Sequence, residues 1–151
     1  MNKLLYTLFL LFSLNSLSHA QNDLYDPELA AEVGADKYGM KKYVIAFLHR
    51  GERVSEYSAE QRTEIQAGHM ANINRLAAEG KLVMAGPFFG NEDLRGIFIF
   101  AVESLQEAEE LTSTDPAIKA GVLHMDLKEW YGSAALMLMN ELHSKVAEES
   151  I

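Results

Sequence analysis

Hydrophobic and polar positions switch period repeatedly along this chain, and each switch marks an element. Tyr43-Val-Ile-Ala-Phe-Leu48 is continuously apolar and rich in β-branched and aromatic residues, which predicts a strand ended by the Arg50-Gly51 turn. From Ser58 the period becomes helical. Ile65, His69, Ile73, Leu76 and Ala77 share one face, Ser58 and Gln61 form a capping box, and Gly80 stops the helix. Leu82-Val-Met-Ala85 and Gly96-Ile-Phe-Ile-Phe-Ala-Val102 read as strands around a Phe89–Asp93 loop. Ser104 with Glu107 opens a shorter helix through Leu111, and Asp115-Pro116 breaks the chain before one more helical turn to Ala120. Leu123, Met125 and Leu127 alternate with His124, Asp126 and Lys128 as a half-exposed strand. An apolar stripe of Ala135, Leu136, Leu138, Met139 and Leu142 predicts a last amphipathic helix, Ala134–His143.

The order βαββαβ predicts an α+β, ferredoxin-like domain: a four-stranded antiparallel sheet with helices on one face, plus the extra C-terminal helix. The first and third strands are apolar on both faces, and two helices cover only one of them. The uncovered face predicts sheet-to-sheet packing in a homodimer, with the alternating fourth strand at an edge. Coverage by the N-terminal arm or the C-terminal helix is the other way to shield that face.

Upstream of this pattern the chain has a different character. Residues 1–20 carry Lys3, an apolar run from Leu4 to Leu14, and a small-residue end at Ser18-His19-Ala20. This is the pattern of a cleaved secretory signal, with an apolar core too short to span a bilayer, so a periplasmic or secreted location is expected. No membrane association is expected after cleavage. Residues 21–40 follow as a polar arm, extended or with a short helix; 41–132 form the folded domain, and 133–151 the C-terminal helix and tail. The formal charge of −9 becomes −10 once Lys3 is removed, which disfavours nucleic acid as a partner. With no cysteine, disulfides, thiolate metal sites and cysteine nucleophiles are excluded.

Among the histidines, only His69 sits within an apolar helical stripe. His143 near a helix end reads as a partner for the helix dipole, and His49 and His124 as residues of a pocket mouth or of solvent. No histidine pair has i, i+4 spacing and no ligand-type carboxylate cluster occurs, so no metal is expected. No phosphate-binding glycine loop is present, and no cofactor is expected. The topology lays the end of the second helix beside the first. Asp115 can then accept a hydrogen bond from Nδ1–H of His69 and leave Nε2 as a base. Gly86-Pro87-Phe88 ends a strand nearby and offers backbone N–H groups to an oxyanion. Arg95 offers a charge to an acidic substrate.

These same residues resemble the YCII-related (YciI-like) family of the dimeric α+β barrel superfamily, from about Tyr43 to Trp130. The likeness rests on His69, the Gly80 stop, Gly86-Pro87-Phe88, and Asp115-Pro116 with Gly121. Gly86 stands 17 residues after His69, and Gly121 six after Asp115. The resemblance implies a ferredoxin-like subunit, sheet-to-sheet dimerisation and a pocket centred on His69 and Asp115. A family member acting as a dehydrochlorinase on a chlorinated hydroxyhydroquinone points to small-molecule acid–base chemistry of lyase or isomerase type. The alternative is a non-catalytic module for small-ligand binding or assembly, with His69 structural.

Overall fold

The computed structural model describes residues 23–149, so the expected signal at 1–20 lies outside the described residues. In chain order the elements are α1 (Pro27–Glu32), β1 (Met40–Arg50), a 3-10 turn (Glu52–Glu56), α2 (Ala59–Ala78), β2 (Leu82–Pro87) and β3 (Leu94–Phe100). Then come α3 (Leu105–Thr112), α4 (Pro116–Lys119), β4 (Leu123–Ser133), a second 3-10 turn (Ala134–Leu138) and α5 (Met139–Val146). All strand pairs are antiparallel in the order β2-β3-β1-β4, the ferredoxin-like arrangement with β4 at an edge.

Local chemistry fixes the ends of α2, the element that carries the histidine. At its start Gln61 N–H donates to Ser58 Oγ at 3.3 Å, and Ser58 N–H donates to Gln61 Oε1 at 2.8 Å. At its end Gly80 takes φ +69°, which lets Lys81 N–H reach the Leu76 carbonyl and Gly80 N–H the Ala77 carbonyl. That pair of bonds is a Schellman stop. The box expected for α3 is only half made. Ser104 accepts from Glu107 N–H, but the Glu107 carboxylate turns to Lys81 Nζ at 2.7 Å and to Glu103 N–H.

The sheet divides the core in two. On the helix side, Val44, Ala46 and Leu48 of β1 meet Phe98 and Phe100 of β3 beneath Leu76 of α2 and Ala108 of α3. On the far side, Tyr43, Val83 and Ile99 are buried under Leu136 and Met137 of the second 3-10 turn. The C-terminal segment therefore covers one end of the far face. Phe47 and Ile97, paired across β1 and β3, remain half-buried at the other end.

Several boundaries differ from the pattern reading, and β1 and β2 both run on beyond the apolar runs that predicted them. The third strand starts earlier and stops at Phe100, before the cap of α3. β4 runs on to Ser133 because β1 from Met40 to Tyr43 pairs with β4 beyond the reach of β3. In that two-stranded overhang Tyr43 is buried under the C-terminal segment, but Glu129, Trp130 and Tyr131 of β4 are all exposed and show no alternation to read. The C-terminal stripe is split between the 3-10 turn and α5, and α5 itself buries no residue, with Leu142 50% exposed. The arm before the sheet contains α1, capped by Asp26. Asp36 then accepts from Tyr38 N–H, Met40 N–H and the Tyr131 hydroxyl, tying the arm to the overhang.

Candidate active site

His69 is the eleventh residue of α2, on the face that lies over the sheet, and its ring stacks on Phe98 of β3 at 5.7 Å between centroids. Nδ1 lies 2.7 Å from Oδ2 of Asp115. The carboxylate is fully buried, while 8% of the histidine side chain remains open. Asp115 has a second duty as the N-cap of α4, where its Oδ1 accepts from Ala117 N–H at 2.8 Å. An ionised carboxylate only accepts hydrogen bonds, so beside one Nδ1 carries a proton, and Nε2 has a lone pair whenever the ring is neutral.

The pair meets because two helices approach closely. A Cβ at Gly68 would sit 3.0 Å from Cγ of Pro116, so the missing side chain is what lets α4 lie against α2. The turn before Asp115 is held to the same helix. Asn72 Oδ1 accepts from Arg75 Nη2 at 2.9 Å and lies 3.0 Å from Thr114 Oγ1. Asn72 Nδ2, buried, has no hydrogen-bond partner.

His69 opens on a groove of about 1020 Å³ between α2, β2 and α5. Met70, Ile73 and Phe98 supply apolar wall, and Gly86, Pro87 and Arg95 line the same space. Gly96 also lines the groove, and β2 packs so closely there that any side chain would run into the Gly86 carbonyl at 2.5 Å. The outer wall is α5, pinned by Asn140 Nδ2 donating to the Leu82 carbonyl at 2.8 Å, and His143 faces the groove from that helix.

Several expectations for the site need correction or placing. Phe88 does not serve as an oxyanion donor. Its N–H is already given to the Arg95 carbonyl at 2.8 Å, its ring is 47% exposed, and it lies outside the groove lining. Pro87 has no N–H to offer. Arg95 lies within β3, and its Nη1 is 3.3 Å from the carbonyls of Gly90 and Glu92. His143 is more than a partner of the helix dipole, since it lines the groove. His49 and His124, opposite one another on β1 and β4, stack on the far sheet face at 4.9 Å, with His49 Nδ1 2.6 Å from Asp93 Oδ2. Sequence reasoning missed Gly68, Asn72, Thr114 and Asn140. Asn140 alone left a trace, as a polar residue interrupting an apolar C-terminal stripe.

Residues 42–131 match the model of the YCII-related domain. Uncharacterized protein YjpA of Bacillus subtilis (strain 168) is 38% identical over 64 residues, which is 42% of this chain and 73% of that protein. Among solved structures, 5-chloro-2-hydroxyhydroquinone dehydrochlorinase (TftG) of Burkholderia phenoliruptrix AC1100, in complex with 2,5-dihydroxybenzoquinone, is similar at 23% identity. The likeness covers 59% of this chain and 92% of that one, with a TM-score of 0.44.

Proposed function

This chain belongs to the YCII-related domain family, and from that premise we propose that it is a small-molecule enzyme of lyase or isomerase type using His69 and Asp115 for acid–base chemistry. The observation that carries the reading is the buried carboxylate 2.7 Å from Nδ1 of a histidine that opens on a groove. Nε2 takes a proton from a carbon next to a carbonyl, including the keto form of a hydroxylated ring, and the electron pair moves onto the carbonyl oxygen as an enolate. Return of the proton at a second carbon completes an isomerisation; departure of a leaving group completes an elimination. Asp115 pairs with the imidazolium formed in between, so the charge is not left alone in an apolar surround. Arg95, on the groove lining, offers its charge to an acidic group of the substrate.

The test is proton exchange in D2O over a panel of enolisable carbonyl compounds and hydroxylated rings, followed by NMR. Protein-dependent deuterium incorporation into at least one compound, reduced about 10²- to 10⁴-fold in His69→Gln, is expected. Undiminished exchange in that variant assigns His69 a structural part and turns the groove into a binding module.

Two further expectations complete the proposal. The protein acts outside the cytoplasm, a reading supported by the leader pattern of residues 1–20. Mass spectrometry after expression with the leader in a Gram-negative host should find a chain beginning at Gln21. It also works as a homodimer through the far sheet face, supported by the half-buried Phe47 and Ile97. Sedimentation should give twice the chain mass, and a monomer at micromolar concentration would refute it.

A further inference from the structure

Beside the groove lies a smaller cleft of about 240 Å³, formed where the end of β1 and the start of β4 meet the first turns of α2. Three arginines line it, Arg50, Arg62 and Arg95, and no aspartate or glutamate does. Among the described residues none of the three takes part in a salt bridge, although the whole chain carries a net charge of −9. An acidic protein has carboxylates to spare. Three arginines lining one concavity without any of them leave a local excess of positive charge that an anion would neutralise.

Backbone carbonyls hold two of the three in place without neutralising them. Arg62 Nη1 donates to the Tyr57 carbonyl, and Arg95 Nη1 lies against Gly90 and Glu92 carbonyls. The remaining N–H groups of each fork are left for a ligand, and a guanidinium fork matches the two oxygens of a carboxylate or phosphate. The neighbouring Arg53 is different, since its Nε is 2.9 Å from Glu56 Oε2.

The cleft is continuous with the groove. Gln66, Arg95 and Leu123 line both. Arg62, Gln66 and His69 lie on one face of α2, and seven residues separate the arginine from the histidine, about 10 Å along the helix axis. We infer that the arginine cleft binds the anionic end of the substrate, a carboxylate or phosphate, while the apolar body extends into the groove toward Nε2 of His69. This rests on the acid–base reading of the groove and narrows it: the substrate is a small organic anion whose charge lies several bonds from the carbon that loses its proton.

The experiment is a pair of titrations at fixed ionic strength, with inorganic phosphate and with benzoate, read on arginine Nε–H and methyl resonances. Wild type, Arg62→Gln, Arg95→Gln and Arg53→Gln are compared. The expected result is one saturable site whose dissociation constant rises at least tenfold in the first two variants and is unchanged in Arg53→Gln, whose guanidinium is paired with Glu56. Phosphate should move arginine signals alone. Benzoate should also move the methyls of Ile73, and tighter binding of one probe identifies the carboxylate or the phosphate source. Shifts that do not saturate, or an affinity indifferent to both Arg62→Gln and Arg95→Gln, overturn the inference. Because the readout needs no turnover, that failure is separate from any failure of His69 as a base.

Discussion

A single methyl group on Gly68 would meet the ring of Pro116 at 3.0 Å. The carboxylate that holds His69 is the residue just before that proline, so the absence of a side chain on one helix sets the position of a functional group on the next. Replacing Gly68 by valine should push α4 away and lengthen the His69–Asp115 contact. We expect a loss of about 1–3 kcal/mol in chemical denaturation, the usual cost of overpacking. The same variant should lose the Nδ1-protonated signature of His69 in long-range proton–nitrogen spectra. A fully native spectrum would mean that α4 yields without moving Asp115.

Asp115 should be more sensitive to alanine than its small size suggests. Asp115→Ala removes the cap of α4 and leaves a buried Nδ1–H without an acceptor, each costing about 1 kcal/mol or more. Asp115→Asn retains a capping oxygen and should be milder by urea denaturation. The two variants should nevertheless share a mixed His69 tautomer population, since neither offers a carboxylate to Nδ1.

Asn140→Ala tests whether α5 is a wall of the groove. The 2.8 Å bond from its amide to the Leu82 carbonyl is the main polar anchor of a helix that buries no residue. Losing it should cost about 0.5–1.5 kcal/mol of local stability. Hydrogen exchange should speed up across Met139–Val146 while β1 and β3 stay protected. Uniform protection in the variant would show that Leu136 and Met137 suffice to hold the segment.

The docking of the arm should depend on pH. The Tyr131 hydroxyl and the backbone N–H groups of Met40 and Tyr38 hold the Asp36 carboxyl below its ordinary range, with a lesser effect of Lys37. A depressed folded-state value means stabilisation that is fully present above the ordinary carboxylate range and lost as pH falls through the lowered one. Limited proteolysis should therefore cut within residues 23–39 more readily at acid pH. In Asp36→Asn the cutting should be high and independent of pH. Cutting that rises equally with acid in this variant would place the sensitivity elsewhere.

The legible parts of this molecule are those where one local rule acts alone. Ser58 with Gln61 and the Gly80 stop delimit α2 from sequence, because caps are local chemistry. The proximity of His69 to Asp115 was readable from the order of elements, because the topology leaves the end of α3 little room except beside α2. Gly68 was silent for the opposite reason: a glycine inside a helix reads as a propensity cost, and its value appears only once Pro116 is seen against it. The Phe88 amide looked free because a strand end after Gly-Pro suggests an unpaired N–H, whereas the Arg95 carbonyl takes it up. Arg50 stands in the sequence only as a turn residue, and Arg62 carries no signal there at all. Only the register of β1 against β4 and the start of α2 bring them into one cleft with Arg95.

The two oxygens of Asp115 are divided between a backbone amide and an imidazole, and this has a consequence for the thermodynamics of ligand binding. A carboxylate pinned at both oxygens does not swivel, and the ring it holds, stacked flat on Phe98, has one orientation before any ligand arrives. The conformational entropy of aiming Nε2 is thus lost during folding rather than at the encounter. A small ligand entering this groove meets an imidazole that is already aligned, and its affinity is set by its own fit.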